Sequence, residues 1–255
     1  MLRLSACSAA LDRCPSELSD CEGVREVAPA QAQQTRSPAA IYAIQAVEDL
    51  GLPDLDPALY CICGPVGSSV HLLEKARDPE TGVLVGAGFA KRSRRIHPFT
   101  ILLSLQNQVA ATLSLQFGWR RACINCMDEP TSFVDLIPSM EMRQPEGAVL
   151  LLLTSAAGRL DDRNWHRYRD PDRPVMEGAI ALLFEAEGEL AEIRSVTQSP
   201  GSKSAGPELF GESCVAPGLE AGLACLSSLS RRASRDLYEL RGSGGHSAFF
   251  EWRAP

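Results

Sequence analysis

The run of six apolar residues from Ala148 to Leu153 constrains the fold more than any other feature of this sequence. The run is long enough for a strand and much shorter than the roughly 20 apolar residues that a membrane-spanning helix needs. A strand whose successive residues are all apolar has no side that favours water. We therefore predict a sheet that other elements cover on both faces.

Helices and strands alternate along the chain around this run. Ser37 precedes Pro38, and apolar residues then recur at helical spacing until Gly51, which predicts a capped helix. A second helix is expected over residues 97–118, and because it is apolar on nearly every side, it should be buried by the core or by a partner subunit. Strands are predicted at 2–9, at 58–63, at 120–127 and twice within 177–198, with the last two joined at Glu187-Gly188. The alternation predicts a layered α/β protein.

Charge argues against a nucleic-acid-binding role. The chain carries a net charge of −7, whereas nucleic-acid-binding proteins present a basic face. A single basic cluster, defined here as Lys91, Arg92, Arg94 and Arg95, is too short to reverse this balance. The cluster is either a solvated loop or a docking patch for an acidic partner.

The start of the chain does not resemble a secretory signal. Its apolar patch is short, and Asp12 and Arg13 interrupt it before a hydrophobic core region forms. With no run long enough to span a bilayer, we expect a cytoplasmic protein without a transmembrane segment.

Cys123 and Cys126 form a Cys-x-x-Cys motif that could suggest metal or redox chemistry. Residues three apart in a strand face opposite sides, so these two thiols cannot hold one metal ion together. A thioredoxin-like pair would open a helix, whereas this pair lies inside a predicted strand. We therefore predict no metal site here. The nine cysteines of the chain are an odd number and widely spread, which favours free thiols over a disulfide framework.

The four histidines and the glycine-rich stretch after residue 63 give weaker signals. His71, His97, His166 and His246 stand in no recognisable catalytic signature, and surface or capping roles are expected for them. Residues 64–70 follow a predicted strand but lack the lysine ending of a phosphate-binding loop. A tight turn is the favoured interpretation.

A series of features keeps a fixed order from residue 97 onward. Pro98-Phe99 precede a predicted helix that contains Asn107 and ends at Gly118; a strand, a second helix, the strand at 148–153 and Glu177-Gly178-Ala179 follow. This order, over roughly residues 38–195, resembles the amino-terminal half of a β-ketoacyl synthase of the thiolase fold. The resemblance implies an αβα half-fold with a mixed sheet covered by helices, which lacks most of the duplicated C-terminal half. It also implies one domain over 1–255 with a core at about 38–195. At about 215–255, the residues themselves predict a helix followed by a hairpin that turns at Ser243-Gly244-Gly245.

The position of that family's nucleophile is occupied by a residue without the required chemistry. Counted without gaps from Gly118, the catalytic cysteine falls at Pro130, or at Glu129 if the register shifts by one. Proline has no reactive side chain, and a carboxylate does not perform the acyl transfer of a thiolate. Cys126 lies upstream, where Asp128 and Glu129 would raise the pKa of its thiol. The resemblance therefore implies a chain without catalytic residues of its own.

Short, non-catalytic chains of this kind resemble the chain length factor-like subunits of aryl polyene and other type II polyketide systems. The resemblance implies a heterodimer with a full-length ketosynthase, in which this chain forms part of the acyl pocket wall. Phe99, Thr100 and Asn107 are the predicted partner and pocket contacts. The acyl chain would arrive on the phosphopantetheine of an acyl carrier protein, with no other cofactor, and the basic cluster would dock that acidic carrier.

Two alternatives stay open at this point. An independent condensing enzyme of thiolase-like ancestry would use Cys126 as its nucleophile, and a stand-alone α/β protein would have an unrelated role. A complete ketosynthase encoded beside this chain would favour the subunit hypothesis.

Overall fold

The fold was examined in a computed structural model of the chain. The structure describes residues 1–30, 33, 36–51, 54–63, 81, 107–127, 131–156, 176–197, 218–241 and 246–255. Within these ranges, the strands are β1 Leu2–Leu11, β2 Val24–Glu26, β3 Ala58–Cys63, β4 Cys123–Met127, β5 Val149–Ser155, β6 Gly178–Phe184, β7 Ala191–Val196, β8 Arg235–Arg241 and β9 Ser247–Arg253. The helices are α1 Pro38–Asp49, α2 Gln108–Phe117, α3 Ser132–Arg143 and α4 Glu220–Ser230, with short 3₁₀ turns at Ser16–Leu18 and Gln144–Glu146.

The nine strands of the described ranges form one mixed sheet. Their order is β4-β3-β5-β6-β1-β7-β9-β8, and β2 pairs with the second half of β1. Strand β3 runs parallel to β4 and β5, whereas β6 runs antiparallel to both β5 and β1. This arrangement confirms the predicted layered αβα fold with a mixed sheet.

Helices cover both faces of the sheet. Tyr60 and Ile62 of β3 point to a core cluster that contains residues of α3 and α4. Leu59, Cys61 and Cys63 point to the opposite cluster, which contains residues of α1 and α2. Every residue of β5 is buried, as the apolar run predicts, because neither face of this strand reaches water.

Helix α1 begins as its sequence predicts. The Ser37 side chain accepts a hydrogen bond from the Ala40 backbone N–H at 3.3 Å, and Pro38 occupies the first helical position. The Ser37 hydroxyl also donates to Gln108 Oε1 at 2.6 Å. One capping residue thereby ties α1 to the start of α2.

The helix predicted over residues 97–118 is shorter than expected in the described part of the chain. It begins at Gln108, with Asn107 just before it in a non-helical turn conformation. Asn107 is therefore not inside the helix, and residues 97–106 lie outside the described ranges. Gly118 ends the helix with φ of 73°, a conformation that glycine adopts without steric cost.

Strands β6 and β7 are consecutive in sequence but not adjacent in the sheet, because β1 pairs with both. The connection between them passes close to β1 at Gly188. A Cβ atom at this position would lie 2.7 Å from the Arg3 carbonyl oxygen. The Glu187-Gly188 junction is thus at the predicted place, and glycine allows the two backbones to approach.

The predicted C-terminal helix and hairpin strands are present as α4, β8 and β9. Strand β9 pairs antiparallel with β8 and with β7, so the C-terminal segment extends the same sheet. In α4, Gly222 packs directly on Ile180 of β6.

Gly23 generates a stability prediction. Its φ is +81°, and an added Cβ would lie 2.6 Å from the Cys7 carbonyl oxygen. We expect Gly23→Ala to lower the free energy of unfolding by about 2 kcal/mol or more, because the left-handed conformation and the backbone clash both oppose a side chain. Urea denaturation followed by circular dichroism measures this change.

Gly51→Ala is the matched control for this substitution. Gly51 has φ of +68° but no atom within 4 Å of an added Cβ, so only the conformational cost of about 1 kcal/mol applies. Equal losses in the two variants would contradict the close-contact argument.

Candidate functional site at the start of helix α3

The candidate site lies where β4 leads into α3. Strand β4 ends at Met127, and α3 begins at Ser132 with Thr131 at its N-cap. Glu129 and Pro130, the predicted nucleophile positions, fall outside the described residues. The site is therefore described by the residues on either side of them.

The two cysteines of β4 face opposite sides of the sheet, as predicted. Cys123 pairs with Leu59, which belongs to the cluster under α1 and α2. Cys126 pairs with Ile62 and packs against the cluster under α3 and α4. In the described part of the chain, no group of three or more cysteine, histidine or carboxylate side chains is placed to hold a metal ion.

The thiol of Cys126 is in an environment that disfavours the thiolate. Burial raises its pKa above the ordinary value, and the nearby carboxylate of Asp135 raises it further. Burial also raises the pKa of the Cys123 thiol. Because the thiolate is the nucleophilic form, both cysteines are poorly suited to attack an acyl thioester at neutral pH.

A threonine and a histidine meet beside the junction of β4 and α3, which we term the elbow. Thr131 Oγ1 and His246 Nε2 lie 3.0 Å apart, and the Thr131 side chain is buried at 3% exposure. The aromatic ring of Phe133 in α3 packs edge-on against Phe250 of β9, with ring centroids 4.8 Å apart. This packing holds the start of α3 against the end of the C-terminal hairpin.

Sequence reasoning assigned His246 a surface or capping role and missed this contact. The available signal was its position directly after Gly244-Gly245, in the turn between two predicted strands. The hydroxyl–imidazole contact resembles a nucleophile–base pair in distance, but the hydroxyl is buried. The described residues around the elbow thus present a neutral thiol and an enclosed hydroxyl.

Helix α2 presents one large apolar side chain to solvent. Gln108, Val109, Ala110 and Leu113 are buried, whereas Leu115 is 86% exposed. Asn107, Ala111 and Leu115 follow one another at intervals of about one helical turn, so all three are exposed on the same side. Of the predicted partner contacts, Asn107 is therefore accessible, while Phe99 and Thr100 lie outside the described residues.

The basic cluster of Lys91, Arg92, Arg94 and Arg95 also lies outside the described residues, so its role as a docking patch stays a prediction. No helix within the described ranges is long and apolar enough to cross a membrane.

Comparisons with known proteins supply the remaining evidence about the fold. The sequence matches no protein-family model and no curated protein. Solved structures that resemble the whole chain include two ketosynthase/chain length factor assemblies and a ketosynthase in complex with an acyl-carrier protein. The complex of the ketosynthase ApeO with its chain length factor ApeC from Xenorhabdus doucetiae matches with a TM-score of 0.59 and 14% identity over 99% of each chain. The ishigamide ketosynthase/chain length factor matches with a TM-score of 0.60 and 12% identity over 99% of each chain.

The third structure, AntDE:AntF, holds a type II polyketide synthase acyl-carrier protein in complex with its ketosynthase. It matches with a TM-score of 0.65 and 10% identity over 100% of this chain and 99% of that chain. The chain has the thiolase-type fold of ketosynthases and chain length factors. The fold inferred from the order of sequence features is therefore confirmed.

The environment of Cys126 predicts a slow, pH-dependent alkylation. Because its pKa is raised, the thiolate fraction at pH 7 is smaller in the folded protein than in the unfolded chain. We expect iodoacetamide to modify Cys126 more slowly in buffer at pH 7 than in urea at the same pH. The rate in the folded protein should rise by about tenfold per pH unit and keep rising above the ordinary thiol range.

Peptide mapping by mass spectrometry measures this rate for each cysteine. Cys61, which is fully buried, serves as the internal control and should be modified only in urea. Alkylation of Cys126 at pH 7 that is faster in the folded than in the unfolded chain would contradict the assignment of a neutral thiol.

Proposed function

We propose that this chain is a non-catalytic, chain length factor-like subunit that pairs with a full-length ketosynthase and forms part of the wall of its acyl pocket. The observation that carries this proposal is the chemistry at the elbow of a ketosynthase-type fold. Glu129 and Pro130 stand where the nucleophile is expected, and burial and Asp135 raise the pKa of the nearest thiol, Cys126. In this proposal, the partner ketosynthase supplies the nucleophile.

The proposed substrate is an acyl chain on the phosphopantetheine of an acyl carrier protein, which would serve an aryl polyene or type II polyketide system in the cytoplasm. The subunit would need no cofactor of its own. Its net charge of −7 fits a partnership with proteins better than one with nucleic acid. The basic cluster at residues 91–95 is a candidate docking patch for the carrier.

Two features at one end of the sheet support pairing with another protein. Strand β4 is at the edge of the described sheet, with β3 as its neighbour, and Ile124 on this strand is 36% exposed. Helix α2 packs near the same end and exposes Leu115. An accessible strand edge beside an exposed leucine is stabilised when a partner covers both.

Leu115 provides a test of this pairing. We expect wild-type chain to co-purify with a full-length ketosynthase encoded beside it, and Leu115→Glu to weaken the heterodimer at least about tenfold, because a buried, unpaired charge is costly at an interface. Size-exclusion chromatography with light scattering, after co-expression, measures the fraction of heterodimer.

Met142→Glu is the matched control. Met142 is 71% exposed on α3, so this substitution introduces the same negative charge at another exposed apolar position. It should leave the heterodimer intact. No heterodimer with the wild-type chain, or equal losses in both variants, would contradict the proposed interface.

Cys126→Ala tests whether this chain is catalytic. In the purified heterodimer, we expect the substitution to change the condensation rate by less than about twofold, since a neutral thiol contributes no nucleophile. Substituting the nucleophilic cysteine of the partner ketosynthase should abolish condensation. Loss of condensation in Cys126→Ala, with the heterodimer intact, would favour the alternative of an independent condensing enzyme.

A further inference from the structure

Strands β7, β9 and β8 place a set of arginines on one face of the sheet. Side chains alternate along a strand, so Ile193, Phe250 and Trp252 point into the core. Arg194 and Glu251 point to the other face, where they pair in the β7–β9 register, and Arg235, Arg241 and Arg253 share that face. We define the arginine face by its members on these strands: Arg194, Arg235, Arg241 and Arg253.

Glu251 organises this face. Its side chain is only 1% exposed, and it accepts hydrogen bonds from Arg194 at 2.5 Å, from Arg253 at 3.3 Å and from Arg235. Burial by itself raises the pKa of Glu251, but the hydrogen bonds from the three arginines outweigh burial and hold it below the ordinary value. One buried negative charge therefore fixes three positive charges above it.

The arginines remain accessible despite this contact. The side chains of Arg194, Arg235 and Arg253 are 44%, 68% and 39% exposed, and that of Arg241 is 73% exposed beside Glu239. Each guanidinium carries five N–H donors, far more than the two oxygens of Glu251 accept. Outward-facing donors are thus left for carboxylates from another molecule.

The charge of this face is opposite to that of the whole chain. On strands β7, β9 and β8, the four arginines of this face stand against Glu192, Glu239 and Glu251. Four positive against three negative side chains leave these three strands with an excess of one positive charge on this face, in a chain of net charge −7. Three arginines also exceed what one buried carboxylate needs, and their mutual repulsion is relieved when an anionic surface approaches.

We propose that the arginine face docks the acidic surface of an acyl carrier protein. This inference rests on the proposed function for the identity of the partner, and on charge complementarity for the location. A short positive face in an acidic chain suits a compact partner with a few carboxylates. A long polyanion would extend beyond this face and be repelled by the negative charges of the rest of the chain. Arginine forks recognise carboxylates in fixed geometry, so the face gives orientation as well as attraction.

The test removes two positive charges from this face while Glu251 keeps two of its arginine partners. Arg235→Gln/Arg241→Gln leaves Arg194 and Arg253 on Glu251. Arg25→Gln/Arg143→Gln is the matched control, since these arginines are 49% and 47% exposed and each pairs with one carboxylate on another surface. Both double variants change the net charge of the chain equally. A difference in carrier binding between them therefore shows where on the surface the carrier docks.

The measurement is binding of the acyl carrier protein encoded beside this chain to the purified ketosynthase heterodimer, by biolayer interferometry at low salt. We expect the Arg235/Arg241 variant to weaken binding about three- to tenfold, and the control to weaken it less than about twofold. The wild-type affinity should fall more steeply with added salt than that of the variant. Equal effects in the two double variants, or no carrier binding by wild type, would overturn the proposal.

Further arms separate the other outcomes. If the chain forms no heterodimer, the proposed function fails. Carrier binding by the two double variants of the isolated chain then still shows whether the arginine face is the docking surface. If Arg94→Glu/Arg95→Glu abolishes carrier binding while Arg235→Gln/Arg241→Gln leaves it unchanged, the carrier docks at the basic cluster and not here. If the face variant instead dissolves a self-associated form of the chain in sedimentation velocity without changing carrier binding, the occupant is a second copy.

Discussion

The pairing of β5 with β6 buries seven residues of each strand on both faces of the sheet. Such strands are stable only when apolar layers cover them from both sides, which requires α1 and α2 on one face and α3 and α4 on the other. Helix α3 packs on this sheet through its buried side chains, among them Phe133 and Ile137, and its first residue follows the elbow. The position of the candidate site is thus a consequence of how the central strands are covered.

The elbow itself depends on a contact between distant parts of the chain. Phe133 at the start of α3 packs against Phe250 of β9, and Tyr238 of β8 stacks on the same ring at 5.1 Å. These aromatic contacts bring His246 to Thr131, although 115 residues separate them. The same arrangement leaves Cys126 half-buried beside Asp135, where burial and charge both favour the neutral thiol. A ketosynthase-type fold is therefore compatible with an elbow whose described thiols are poor nucleophiles.

Much of the fold was predictable because local patterns report local burial. The apolar run at 148–153, the Ser37 cap and the glycine turn between the C-terminal strands each predict an element that the structure contains. The opposite orientation of Cys123 and Cys126 also follows from strand geometry alone. Apolar residues on both sides of Gln106-Asn107-Gln108 favoured one helix over 97–118, whereas the helix begins at Gln108 after a turn at Asn107. Composition specifies how buried a segment is, and much less where a helix begins.

The sequence by itself determined a buried, doubly covered sheet, a capped first helix, a net acidic composition and the lack of a cysteine at positions 129 and 130. Only the tertiary structure decided that β1 lies between β6 and β7, that His246 contacts Thr131, and that arginines from three strands share Glu251. The reason is physical. Hydrophobic periodicity and capping act within a few residues, whereas strand order and side-chain partnerships depend on which distant backbones pair, and pairing is set by the packing of the whole chain.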